Sequence, residues 1–138
     1  LSSAASDVYK RQITNSIFTD FGSCLDIDSS STFANAGTPP DALTGNLTME
    51  NTIVNCTTNF VEEDGDPWTV QSWFEAQDGN MQMDPALEGV FPPASATYTM
   101  GYPIDMEQFD AFFQNYDHIG AFSDAKHAWT HGWTLQDF

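Results

Sequence analysis

Asparagine opens two short β-branched runs, Asn15-Ser-Ile-Phe-Thr-Asp20 and Asn51-Thr-Ile-Val-Asn-Cys56, that start 36 residues apart. A recurrence at this spacing falls in the range of stacked repeats, in which each copy contributes short strands to its neighbours. Between the two runs, Cys24-Leu-Asp-Ile-Asp28 and Asn46-Leu-Thr-Met-Glu50 alternate apolar with polar residues, the period of a strand with one buried face. Ser29 to Thr44 is rich in Ser, Gly, Ala and Pro and reads as a lateral loop near 29–45. From Glu62 the pattern changes to an acidic turn and then a short helix near 70–77. Thr69 caps that helix, Val70, Trp73 and Phe74 share one face, and Gly79 ends it. Met83 to Pro103 is extended and proline-rich. Asp105 and Gln108 then open a helix near 106–116 with Phe109, Phe112, Phe113 and Tyr116 on one stripe.

Composition narrows the partners. Three basic residues face 20 acidic ones, for a net charge of −17. Such a chain cannot neutralise a phosphate backbone, and anionic lipid repels it, so nucleic acid and membrane surfaces are poor partners, and neither nucleic-acid binding nor membrane insertion is expected. With 41% apolar residues it nevertheless has the means to pack a core, unlike an acidic solvating tail. No apolar run is long enough for a membrane-spanning helix. Cys24 and Cys56 permit one disulfide or stand as two buried thiols.

Residues 2–12, SSAASDVYKRQ, resemble the in-frame translation of a transposase-type sequencing adapter. On that reading residues 1–12 are a disordered artefact, Ile13 is the first natural residue, and further protein precedes it. The chain is then a piece cut by library preparation, as in metagenomic sequence, with Lys126 as its one natural cation.

Candidate chemistry is sparse. Asp26 and Asp28 project from one strand face about 7 Å apart, a separation a glycosidase pair can use and a solvated face also has. The acidic turn Glu62, Glu63, Asp64 and Asp66 offers hard oxygen ligands around a glycine and is the candidate Ca²⁺ site, without matching an EF-hand loop. His127 and His131 share the i, i+4 spacing of some zinc sites but lack the metalloprotease Glu. Asn46-Leu-Thr and Asn55-Cys-Thr fit the N-glycosylation pattern. No phosphate loop and no serine-hydrolase elbow occurs, and no catalytic or cofactor-binding set stands out.

The order Asp84-Pro85, the proline-rich stretch, Phe112-Phe113, Ile119-Gly-Ala-Phe122, Trp129 and Gly132-Trp133-Thr134 resembles the C-terminal end of secreted bacterial right-handed parallel β-helix proteins of the pectin-lyase-like kind. The resemblance implies a mainly β fold. Residues 13–66 would be the last coils, and 67–138 an aromatic-rich, partly helical C-terminal cap that covers the end of the solenoid. Phe109, Phe112, Phe113, Phe122, Trp129 and Trp133 would form that cover, or alternatively a platform for stacking sugars. The implied role is structural or binding, with adhesion or contact to polysaccharide or cell-surface glycan, and with upstream β-helix coils of the same chain as the internal partner. The implied place is extracellular, on the cell surface, or periplasmic. Two alternatives stay open: the non-catalytic end of a β-helix polysaccharide lyase or glycosidase with its active site upstream, and a calcium-stabilised binding module.

Overall fold

The computed structural model of the chain describes residues 11–39, 45–98 and 118–130. Its elements run β1 (Arg11–Thr14), β2 (Ile17–Thr19), β3 (Ser23–Leu25), α1 (Ser30–Ala36), β4 (Leu47–Glu50), β5 (Ile53–Asn55), β6 (Thr58–Phe60), α2 (Val70–Glu75), β7 (Met81–Gln82) and a 3-10 turn, Ala125–His127. Arg11 and Gln12, the last residues of the adapter-like run, form the start of β1.

The strands pair in parallel as three separate sheets ordered β1-β4, β2-β5-β7 and β3-β6. Arg11 faces Leu47 and Ile17 faces Ile53, so the first two pairs follow the spacing of the Asn-led runs, while Ser23 faces Thr58 one residue out of step. Both leading asparagines take left-handed backbone, φ 48 at Asn15 and 49 at Asn51, a region where Asn is several-fold enriched. The hydroxyls that follow repeat one bond: Ser16 Oγ donates to Thr14 O at 2.8 Å and Thr52 Oγ1 to Glu50 O at 3.1 Å.

The expected last coils of a right-handed parallel β-helix with an aromatic, partly helical C-terminal cap are corrected by this topology. Stacked-repeat folds bury their faces only when at least about three units pile up. Among the described residues two of the three sheets are two strands deep, and the third strand, β7, joins β5 alone over two residues, Ile53 facing Met81. The described residues make a small mixed α/β arrangement of short parallel strand pairs and few helices. The expected helix near 106–116, with Phe109, Phe112, Phe113 and Tyr116, lies outside the described residues, as do Trp133 and His131.

The lateral loop near 29–45 is also different, because α1 occupies its first half. Thr32 N and Phe33 N both donate to Ser29 O, and Gly37, at φ 87, ends the helix. Helix propensity is weak in Ser-Ser-Thr-Phe-Ala-Asn-Ala, so burial decides: Phe33 and Ala36, three apart on one face, enter the core. That core gathers Ile27, Met49, Val54, Val70, Trp73 and Phe74 around them, with Trp68 edge-on to Phe33 at 4.7 Å. The buried Trp73 Nε1 donates to Ala36 O at 3.0 Å, satisfying a terminal carbonyl of α1. A second, smaller cluster of Ile53, Tyr98 and Ile119 lies against Ile17 and Met81 of the β2-β5-β7 sheet.

Cys24 and Cys56 form a disulfide with Cα atoms 5.6 Å apart. It ties the first layer, β1 to β3, to the second, β4 to β6.

Candidate functional site

The acidic turn proposed for Ca²⁺ has structural duties. Glu62 turns both carboxylate oxygens to the start of α2, accepting from Val70 N at 2.9 Å and Gln71 N at 3.0 Å. Thr69 Oγ1 accepts from Ser72 N at 3.2 Å, so three successive amides of the first turn are satisfied. A carboxylate at a helix N-terminus is also favoured by the backbone dipole. Asp66 Oδ2 accepts from Glu63 N at 3.2 Å, while Glu63 and Asp64 are exposed. The four side chains are therefore not brought together as a ligand set. Among the described residues no three His, Cys, Asp or Glu side chains converge as a metal-holding group.

Asp26 and Asp28 lie just beyond β3, both exposed, with Ile27 between them buried. They form a solvated face. His127 sits on the 3-10 turn, where its Nδ1 donates to Asp124 Oδ2 at 2.8 Å. A carboxylate only accepts, so Nδ1 carries the proton. Asp124 Oδ1 also accepts from Lys126 N at 2.7 Å and His127 N at 3.0 Å. The His127 hydrogen bond is the main reason that the Asp124 carboxyl is held below the usual carboxylate range.

Two surface features remain. The first is a trough of about 620 Å³ beside β2, lined by that strand and by two further segments, Leu87 to Pro92 and Gly120 to Phe122. Gly120 begins one segment: its N–H donates to Asn15 O at 2.7 Å, and at φ 92 a Cβ there would stand 3.0 Å from Ile17 Cδ1. Glycine is what lets this segment lie against the strand. The other segment turns tightly, with Glu88 and Phe91 exchanging backbone hydrogen bonds and Val90 exposed at its tip.

The second is Trp129. It is 65% exposed, yet its indole N–H donates to Ala121 O at 3.1 Å and its ring stacks on Phe122, centroids 6.1 Å apart and 25° from parallel. Phe122 is buried and continues into Phe91 at 5.0 Å. By sequence Trp129 belongs either to an apolar cover or to a sugar-stacking platform. Its exposure could not be read from residue type, because the same residue serves buried at position 73.

The disulfide suits an oxidising compartment. No helix among the described residues is long and apolar enough to cross a membrane. Searches of protein families, curated proteins and solved structures find no match to this chain.

Proposed function

We propose that the protein is a non-catalytic binding module working outside the cytoplasm, in an extracellular, cell-surface or periplasmic setting, and that it contacts glycan through Trp129. The observation that carries this reading is a large aromatic ring turned to solvent but pinned at both its N–H and its face. A ring fixed in advance loses little freedom on binding, and its flat face matches the apolar face of a pyranose. Neutral glycans are the expected ligands, since a chain of net charge −17 repels polyanionic polysaccharides.

The test is calorimetric titration of the full chain with neutral and acidic oligosaccharides, repeated with Trp129→Ala and Trp129→Phe. Binding of neutral sugars that W129A abolishes and W129F partly keeps, with the melting temperature unchanged, is the expected result. Absence of binding across the panel, or binding indifferent to W129A, overturns the reading.

A further inference from the structure

Among the described residues strand β2 pairs on one side only. Ile53 N donates to Ser16 O and Asp20 N to Asn55 O, so the backbone groups of residues 16, 18 and 20 point to β5. By the alternation of a parallel ladder, the N–H and C=O groups of Ile17 and Thr19 point away from β5, and both residues line the trough. Among the described residues nothing bonds to them. They lie about 7 Å apart along the strand, the repeat of alternate residues in an added strand. An unpaired edge is a template for another chain, and proteins usually blunt it with charge, proline or cover. Here the edge is instead flanked by apolar walls from Val90, Pro92 and Phe122.

The geometry points to β2 as a docking edge for an extended, positively charged polypeptide segment, which adds to the sheet as a strand in the trough. Charge chooses the occupant. Acidic residues outnumber basic ones 20 to 3, and among the described residues the trough's one charged lining residue is Asp20, just past β2. A second copy would bring −17 against −17 and is disfavoured, as is any acidic strand. Backbone groups give such a site affinity, and alternate side chains against the walls give it selectivity.

The probe is a synthetic peptide of alternating lysine and valine of about five to six residues, an ordinary strand length, titrated into the full chain beside a glutamate–valine control. Two variants locate the contact. Thr19→Pro removes an outward N–H without touching the bonds of Phe18 or Asp20 to β5, a place where a sheet tolerates proline. Asp20→Asn removes the charge and suits the left-handed backbone, φ 65, at that position.

The expected result is binding of the lysine peptide alone, weakened by salt, at least about tenfold weaker in T19P and less strongly reduced in D20N, with both variants melting as the parent does. Absence of binding, equal binding of the glutamate peptide, or binding unchanged in both variants overturns the proposal. So does concentration-dependent dimerisation of the free chain, which would make a second copy the occupant. T19P leaves the bond of Trp129 to Ala121 and its stacking on Phe122 in place and is expected to leave sugar binding intact, so failure here and failure of the glycan reading are separable.

Discussion

The outer edges of β4 and β2 pose the same problem and are treated in opposite ways. At β4, Gln77 Oε1 accepts from Met49 N at 2.8 Å while Asn80 Nδ2 donates to Met49 O at 2.7 Å and Asn80 Oδ1 accepts from Thr52 N at 3.0 Å. Two side-chain amides take the place of a missing strand. They are held in turn by α2, with Gln77 Nε2 donating to Trp73 O and Asn80 Nδ2 to Phe74 O. Gly79 makes the approach possible, since at φ 72 it avoids the strain of a side chain and a Cβ there would overlap Asn51. At β2 no comparable groups reach Ile17 or Thr19 among the described residues, and a trough lies there instead. One edge is sealed by specific polar groups, and the other is left available for contact. The two tryptophans divide in the same way: Trp73, 1% exposed, anchors the sealed side, and Trp129 faces solvent near the trough.

The sharpest way to break this comparison is to truncate both rings. Trp73→Ala should destabilise the protein by about 3–5 kcal/mol, through the cavity and the orphaned Ala36 carbonyl, whereas Trp129→Ala should stay within about 0.5 kcal/mol. Denaturant melts of the two variants measure the difference; similar losses would show that Trp129 belongs to the core. Reduction of the Cys24–Cys56 bond, which spans 32 residues, should cost about 3–4 kcal/mol in the chain-entropy account. Hydrogen exchange should then rise first in β1 to β3, because the bond ties that layer to the sealed one.

Gln77 is 3% exposed, so Gln77→Ala leaves Met49 N–H buried without its acceptor and should cost about 1–3 kcal/mol. A smaller loss in a denaturant melt would mean that the edge is sealed by Asn80 alone. The smallest effects are set by pH. Burial, with Asp84 nearby, pushes the Tyr98 hydroxyl above its usual value of 10.0. Its contribution is complete below that value and fades as pH rises through the elevated folded one, so alkali should loosen the cluster of Ile53, Tyr98 and Ile119. The lowered carboxyl of Asp124 contributes above its usual 3.8 and loses that contribution as pH falls through the depressed folded value. Melting temperature against pH should therefore decline at both extremes, with Tyr98→Phe flattening the alkaline arm and Asp124→Asn the acid arm.

Local rules are legible wherever neighbours in sequence decide the structure. The β-branched runs after Asn15 and Asn51 are strands, and Thr69 caps α2, because strand alternation and the cap bond involve residues a few positions apart. The reading fails where distant partners decide. Phe33 and Ala36 pull a polar, loop-like stretch into α1 through contacts with Trp68 and Trp73. Glu62 looks like a free hard ligand until α2, eight residues on, claims its carboxylate. The solenoid expectation extends a local period beyond what the described residues stack, since β7 adds only two residues to one sheet.

By itself the sequence determined the charge that repels polyanions and the strands in the runs led by Asn15 and Asn51, because these follow from residue chemistry and local backbone preference. Only the tertiary structure decided which strand edge is sealed and which is open, which tryptophan is buried, and that Cys24 meets Cys56. Those outcomes depend on groups far apart in the chain arriving within hydrogen-bonding, packing or bonding distance, which no local pattern encodes.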